Sequence, residues 1–418
     1  MKKKVWIFNH YAADMFRDKA GRHYWFARKL KEKGYEPVIF CANTFHNKAD
    51  CIEIKKGISC IKKDESIPYV FVKVKSSVGN GLDRIRNMFD FYKNLFPVTR
   101  GYVKRYGMPD VVIASSVHPL TMVAGIQIAK KLRVPCICEI RDLWPEAIFA
   151  FGKAKPDSLL GKILIAGEHW IYRNADALIF TKEGDHDYLI EQGWTAEQKG
   201  DIDLKKCYYI NNGVNIDAFE KAINEIQIQD DDLEESKFNI VYAGMIRPVN
   251  NVGQLLDTAK LLKDREDIQF LIYGAGNQLE ELQERIELEN IQNVKMKGFI
   301  ERKYIPFILS HSNINILNYS QTQYNWSRGN SSNKLFEYLA SGKPVISTVK
   351  MGYDIIERYK CGVSLEQCNA ENLAKAICEM KELSEQEYND YCINAKKAAS
   401  EFDFNVLVEK LIRVVESV

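Results

Sequence analysis

A chain of 418 residues is too long for one ordinary hydrophobic core, so two domains of about 200 residues each are expected. Its composition, 46% hydrophobic and 27% charged, fits a soluble globular protein, and no uninterrupted apolar run reaches the roughly 18 residues that a membrane span needs. Net charge is only +2, yet residues 1–200 carry +11 and the remainder −9, so the front half is expected to face something anionic.

The N-terminus, Met1-Lys2-Lys3-Lys4, has the charge of a signal peptide, but only Val5–Phe8 follow as an apolar run before Asn9-His10. That run is too short for a signal core and reads as a cytosolic end feeding a buried strand. Short β-branched or aromatic runs then recur at Val38–Phe40, Val111–Ala114, Pro135–Ile140, Ala177–Thr181 and Cys207–Ile210. Helical patterns such as Tyr24–Lys33 and Thr121–Leu132 lie between them. The rhythm repeats in Phe238–Tyr242, Ile268–Tyr273, Val294–Phe299, Ile314–Leu317, Pro344–Ser347 and Gly362–Leu365. Strands alternating with helices predict an α/β fold of two doubly wound, parallel-sheet domains. The polar stretch Asn224–Lys237, with Asp230-Asp231-Asp232 and Glu234-Glu235, reads as a solvated joint, giving domains of 1–223 and 224–400. An amphipathic last helix is expected within 401–418.

Ten cysteines are scattered, and the one close pair, Cys136 and Cys138, lies on a predicted strand whose alternation is expected to turn them apart. No second pair follows at zinc spacing, so reduced, buried thiols and no metal site are expected.

Ligands of open α/β sheets sit beyond the C-terminal strand ends, where turns expose backbone N–H groups. Three turns of the back half have this character. In Tyr242-Ala243-Gly244-Met245-Ile246-Arg247, Gly244 permits close backbone approach and Arg247 supplies a forked cation. In Gly274-Ala275-Gly276, the glycines alone are weak evidence, because glycine also simply makes turns. The third is Gly329-Asn330-Ser331-Ser332-Asn333-Lys334-Leu335-Phe336-Glu337. Ser331 or Ser332 caps a helix over 333–341 that turns Leu335, Phe336 and Leu339 inward. Lys334 then opposes the helix dipole in the first turn, a mismatch that a bound anion removes. Glu337, three residues on, reads either as an intrahelical ion pair with Lys334 or as a carboxylate accepting hydrogen bonds from a ribose diol.

The string Ser331-Ser332-Asn333-Lys334-Leu335-Phe336-Glu337-Tyr338-Leu339-Ala340-Ser341-Gly342-Lys343-Pro344-Val345-Ile346 resembles the signature of retaining glycosyltransferases of family four. Similar motifs occur in the family's order at Asp110–Ser116, Arg141-Asp142-Leu143-Trp144-Pro145-Glu146, Asn211–Asn215 and Tyr242–Gly244. The Asp-Leu-Trp-Pro-Glu string, with Gly79-Asn80-Gly81-Leu82 upstream, is most similar to a bacterial O-antigen and capsule subgroup that includes N-acetylfucosamine-type transferases. The resemblance implies the GT-B fold, two Rossmann-like domains facing across a cleft. The front one would take the acceptor and the back one the donor, the last helix would cross back to the front domain, and transfer would need no metal. The implied cofactor set is empty, with a UDP-sugar as co-substrate. The family's usual first carboxylate, eight positions before Glu337, is replaced by Gly329, which favours a deoxy or N-acetylated donor sugar. No lysine follows Arg247 closely, so Arg247 and Lys334 are expected to carry the diphosphate together.

Charge developing on the leaving diphosphate is then met by Arg247, Lys334 and the backbone N–H groups near Ser332 and Asn333. Gly244, Gly274, Asn330, Leu335 and Glu337 complete the expected donor set, with Phe299 and its neighbours at the uracil edge. In the front half, Asp142 is expected to orient the acceptor hydroxyl and Arg141 or Glu146 to touch sugar, unless Arg141 and Asp142 form only a structural pair. Gly21, Arg22 and His118 are weaker candidates for acceptor contact, and His10 and His23 have similar standing. Residues 73–106 hold eight basic residues interleaved with Phe89, Phe91, Tyr92, Phe96, Tyr102 and Tyr106. That composition suits an anionic membrane surface. A lipid-diphosphate-linked acceptor favours this over nucleic acid, for which no binding module is present. A cytoplasmic protein, peripheral on the inner face of the membrane, is therefore expected. A sugar-nucleotide epimerase and a non-catalytic sugar-nucleotide binder are the alternatives.

Overall fold

The structure is a computed structural model that describes residues 3–45, 50–65, 67–76, 79, 81–116, 118–150, 152, 154–233, 236–320 and 326–418. Met1, Lys2, Asn80 of the glycine-rich motif and Glu234-Glu235 of the expected joint lie outside the described residues. Two compact units form, one of Met1–Asn211 with Leu407–Val418 and one of Asn212–Val406.

Unit 1 has an eight-stranded sheet of β1 (Lys4–Phe8), β2 (Glu36–Ala42), β3 (Ser59–Asp64), β4 (Ile67–Val72), β5 (Val111–Ser115), β6 (Cys136–Ile140), β7 (Ala177–Phe180) and β8 (Cys207–Tyr209). The order is β3-β4-β2-β1-β5-β6-β7-β8. Strands such as β1, β5 and β6 are buried almost throughout, as expected of strands covered on both faces. The parallel sheet has one unforeseen edge, since β3 runs antiparallel to β4. Its turn places Glu65 in the left-handed region, φ 42°, where a glycine or asparagine would have signalled a hairpin. Cys136 and Cys138 do not diverge: with one residue between them they share a face of β6, and both enter the same core.

Helices cover the sheet. Leu82–Tyr106 turns Phe91, Leu95 and Val98 into the core, with Tyr92, Phe96 and Tyr102 packed against it. Most of the aromatic residues of 73–106 are therefore packed in the core or against it, and the interleaved pattern is an amphipathic helix. Gly125, in the helix Pro119–Leu132, lets that helix lie directly on β5, since a Cβ there would stand 2.4 Å from Ala114 Cβ. The last helix, Phe404–Ser417, adds Lys3–Glu416 and Lys33–Glu409 ion pairs within unit 1.

Unit 2 has a six-stranded parallel sheet of β9 (Phe238–Ala243), β10 (Ile268–Tyr273), β11 (Val294–Gly298), β12 (Ile314–Leu317), β13 (Val345–Ser347) and β14 (Gly362–Ser364), ordered β11-β10-β9-β12-β13-β14. The division from unit 1 falls at Asn211/Asn212 rather than at residue 223, because the helix Ile216–Glu225 buries Phe219 in the core of unit 2. The acidic stretch after it is no solvated joint. Asp230 and Asp232 take Lys297 at 2.7 and 2.5 Å, and Tyr273 donates to Asp230 at 2.8 Å.

Substituting Gly125→Ala should push the helix from β5 and lower stability by about 1–3 kcal/mol, read from the urea midpoint of the full chain.

Candidate functional site

In unit 2 the strand order reverses between β9 and β12: β10 and β11 follow on one side of β9, and β12 to β14 on the other. Turns diverge beyond the C-terminal ends at such a point and leave a crevice. The turn after β9 carries Gly244 and Arg247, and the turns after β10 and β11 carry Gly274 and Phe299. Backbone bonds lace the three together: Gly244 N donates to Tyr273 O, Ile246 N to Ala275 O and Gly274 N to Gly298 O, at 2.7–2.9 Å. The Gly-x-Gly pair serves this lacing. A Cβ on Gly274 would fall 1.8 Å from Gly244 O, and one on Gly276 would fall 1.9 Å from Ile246 O. The ring of Phe299 stands 77% exposed beside that wall.

The helix Asn333–Ala340 starts on the β12 side of the reversal. Ser332 is its N-cap residue, yet its hydroxyl makes no capping bond. Asn330 Oδ1 instead accepts from Ser332 N at 2.8 Å, and Asn212 Nδ2 donates to Ser331 O, so the loop is held from behind. The first amides of a helix have no partner within it, and here they face the strand ends uncapped by Ser332. Asn333 is exposed, whereas the side chain of Leu335 lies in the core, so that residue can offer a ligand only its backbone.

Lys334 spans the reversal. Its ammonium lies 4.9 Å from the ring centre of Tyr242, at the end of β9, and 4.8 Å from that of Tyr319, just beyond β12. It also sits 3.4 Å from the Tyr242 hydroxyl. Gly244 makes the space, since a Cβ there would stand 3.1 Å from Nζ. Among the described residues no carboxylate pairs with Lys334 or with the exposed Arg247. Burial first, and then the charge of Arg247, push the Lys334 ammonium down to about 7. Two cations thus stand near uncapped helix amides without a counter-ion, an arrangement that suits a multiply charged anion. Glu337 does not pair with Lys334: it takes Arg302 Nη2 at 2.7 Å, leaving the ammonium to the rings.

In unit 1 the reversal lies between β1 and β5. Here several expectations change. Arg22 is fully buried: it pairs with Glu139 at 2.7 Å and donates to the carbonyls of Asn211 and Ile210. Burial alone would raise Glu139, but Arg22, His23 and Arg141 hold it well below the usual carboxylate range. Arg22 is a clamp inside the unit, not an acceptor contact, and Gly21, at φ 101°, begins its helix, Arg22–Glu32. His118 is also buried, its Nε2 2.7 Å from His10 Nδ1, while His10 Nε2 lies 2.6 Å from Asn87 Oδ1. Burial pushes the His118 ring down to about 3, so it is a neutral packing partner and offers no exposed face to an acceptor. His23 is likewise buried, bonded to Asn9 at 2.7 Å and 2.9 Å from Glu139.

Arg141 and Asp142 follow β6, and Glu146 lies in the helix Trp144–Ala150. Asp142 is exposed and faces Lys182 at 3.7 Å, so the alternative of a structural Arg141–Asp142 pair is not what forms. The Arg141 backbone is pinned at both ends: its N–H donates to Ser116 Oγ and its carbonyl accepts from Thr181 Oγ1. Glu168 escaped the sequence reading. Buried between the hydroxyls of Tyr172 and Tyr188, at 2.6 and 2.7 Å, it is pushed up to about 7 by burial, with Glu146 and Asp185 adding to the rise. Its signal was only a lone acid in an apolar helix.

Residues 22–198 match the model of the family "Glycosyl transferase 4-like domain", and residues 215–398 match that of "Glycosyl transferases group 1". A 2-deoxystreptamine N-acetyl-D-glucosaminyltransferase of Niallia circulans is 30% identical over 27% of this chain and 28% of its own length. The putative teichuronic acid biosynthesis glycosyltransferase TuaH of Bacillus subtilis (strain 168) is 27% identical over 51% of this chain and 50% of its own. The chain thus spans half or less of the curated relatives it matches. Anabaena Alr3699/HepE, solved in complex with UDP, superposes with a TM-score of 0.66 at 14% identity, over 100% of both chains. One family model lies on each of the two Rossmann-like sheets, and by that pairing the chain belongs to the GT-B glycosyltransferases of the group 1 and 4-like type.

Proposed function

We propose that this chain transfers a glycosyl group with retention of configuration, and without a metal ion, from a UDP-sugar to a lipid-diphosphate-linked saccharide. The observation that carries the reading is Lys334, caged by two tyrosine rings beside Arg247 with no carboxylate partner among the described residues. A diphosphate supplies the missing counter-charge. When the bond from the anomeric carbon to the phosphate oxygen breaks, negative charge grows on that oxygen, and Arg247, Lys334 and the helix amides from Asn333 onward offset it, the Ser332 amide being taken by Asn330 Oδ1. The acceptor oxygen forms the new bond on the same face, and its proton passes to the departing phosphate. Glu337 accepts from the ribose diol in this reading, and the turn at Gly298 and Phe299 meets the base. Asp142, exposed at its strand end, is the residue we assign to the acceptor hydroxyl, with Arg141 and Glu146 close in sequence.

The UDP in the Anabaena structure supports a uridine donor, and the N-acetylglucosaminyl transfer named for the Niallia relative supports an N-acetylated sugar. The teichuronic acid relative supports a polysaccharide product, of which O-antigen or capsule repeat units made at the inner face of the membrane are our specific reading. Gly329, in place of a first carboxylate, fits a donor sugar with one fewer hydroxyl to hold.

Incubation with a panel of UDP-sugars should release UDP in a sugar-dependent manner only when lipid-linked acceptor is present. Change of the sugar alone would mark an epimerase, and binding without release a non-catalytic protein. Lys334→Ala should lower turnover about a hundredfold, or about 3 kcal/mol, with the fold retained; near-normal turnover would remove Lys334 from the reaction.

A pH dependence follows as well. The free ammonium titrates near 7, and a bound diphosphate favours its charged form, which raises its pKa. Above pH 7 the protein must therefore take up a proton to bind, and affinity falls as pH rises; below 7 affinity is flat. Calorimetry of a UDP-sugar at about pH 8, in buffers of different ionisation heat, should show uptake approaching one proton per ligand, and none in Lys334→Ala.

A further inference from the structure

Three helices, Leu82–Tyr106, Pro119–Leu132 and Leu159–Asn174, lie side by side on one face of the unit 1 sheet. Each leads into a parallel strand, β5, β6 and β7 in turn, so their N-termini share one end of the sheet. Their charge is one-sided. Lysine and arginine number six on the first helix, two on the second and two on the third, against Asp83, Asp90 and the buried Glu168. The shared end is apolar and exposed: Leu82, Ile85 and Phe89 follow one another at helical spacing on the first helix, and Leu159, Leu160 and Ile163 open the third. Leu159, at 78% exposed, and Leu82, at 73%, are among the most exposed apolar side chains described. Farther along the third helix the half-exposed Trp170 lies 5.9 Å under Lys130, and Lys131 sits over Phe96 at 4.9 Å.

We infer that this three-helix face docks on an anionic phospholipid surface, the apolar N-terminal turns entering the headgroup layer and the lysines and arginines meeting lipid phosphates. Apart from the exposed Phe89, the aromatic residues of 73–106 do not make this contact, because most of them are packed in or against the core. The exposed leucines and isoleucines do, and the Leu159–Asn174 helix contributes as much as the basic one. A second copy of the chain is a poor occupant, since two such cationic faces repel. Nucleic acid has no use for a leucine-rich edge, its interfaces being polar. A leaflet with anionic lipid satisfies both features at once. The inference deepens the proposed function by locating the face that meets the acceptor's membrane, but its test involves no sugar transfer.

The full chain is sedimented with vesicles of phosphatidylcholine alone, or of phosphatidylcholine and phosphatidylglycerol in equal parts. Binding is expected only to the second kind, weakened by added salt. Leu159→Gln combined with Ile163→Gln should bind about tenfold more weakly or worse, as should Lys93→Glu combined with Lys162→Glu. UDP-sugar binding, which uses unit 2, should be unchanged in both and reports an intact chain. Equal binding to neutral vesicles, undiminished binding by the apolar variant, or a concentration-dependent dimer lost in that variant would overturn the inference. Vesicle binding without any transferase activity would leave it standing while removing the proposed reaction.

Discussion

One ammonium without a carboxylate organises unit 2. Lys334 is held where the strand order reverses, by the faces of two tyrosines, and the surrounding features make room for it. Gly244 has no side chain because Nζ would touch it, and Glu337 is drawn off by Arg302. A carboxylate neighbour would have stabilised the free protein and competed with an anionic ligand. Aromatic faces hold the cation more weakly and leave its charge unspent.

Unit 1 treats its own reversal in the opposite way. There the buried groups find partners within the unit: Arg22 with Glu139, His10 with His118 and Asn87. The polar groups that sequence alone offered as acceptor contacts hold the unit together, and the groups left outward are those of the Asp142 turn. Two sheets of one architecture thus carry different chemistry at equivalent places. Whether a strand end is a site depends on which charges stay unpaired, which strand order does not specify.

Much of the fold could be read from the sequence, because parallel strands covered on both faces are nearly continuous apolar runs. Val111–Ala114 and Ile314–Leu317 needed no context. The β3–β4 hairpin was hidden since Ser59–Asp64 is a lysine-bearing edge strand and its turn uses a glutamate in the left-handed region. In the site, Gly244, Arg247 and Lys334 were legible from helix electrostatics and family resemblance. The cage was not, because Tyr242 and Tyr319 are far from Lys334 in the chain and look like ordinary core residues. Arg22 and Glu139, over a hundred residues apart, left no local trace of their pairing. In 73–106 the spacing of Phe91, Leu95, Val98 and Tyr102 already marked a buried helical stripe, and residue type drew attention away from it.

The lacing of the turns after β9, β10 and β11 bears on how such a protein can change its ligand. That wall is made of main chain, with Gly274 and Gly276 unable to accept even a methyl group without meeting a carbonyl. Selection therefore has little to act on there, and the wall offers the same hydrogen-bonding pattern whatever the neighbouring residues become. Divergence toward another ligand has to be written in the few side chains on those turns, Met245, Arg247 and Phe299, and, on the β12 side, in Asn333 and the loop that carries Gly329.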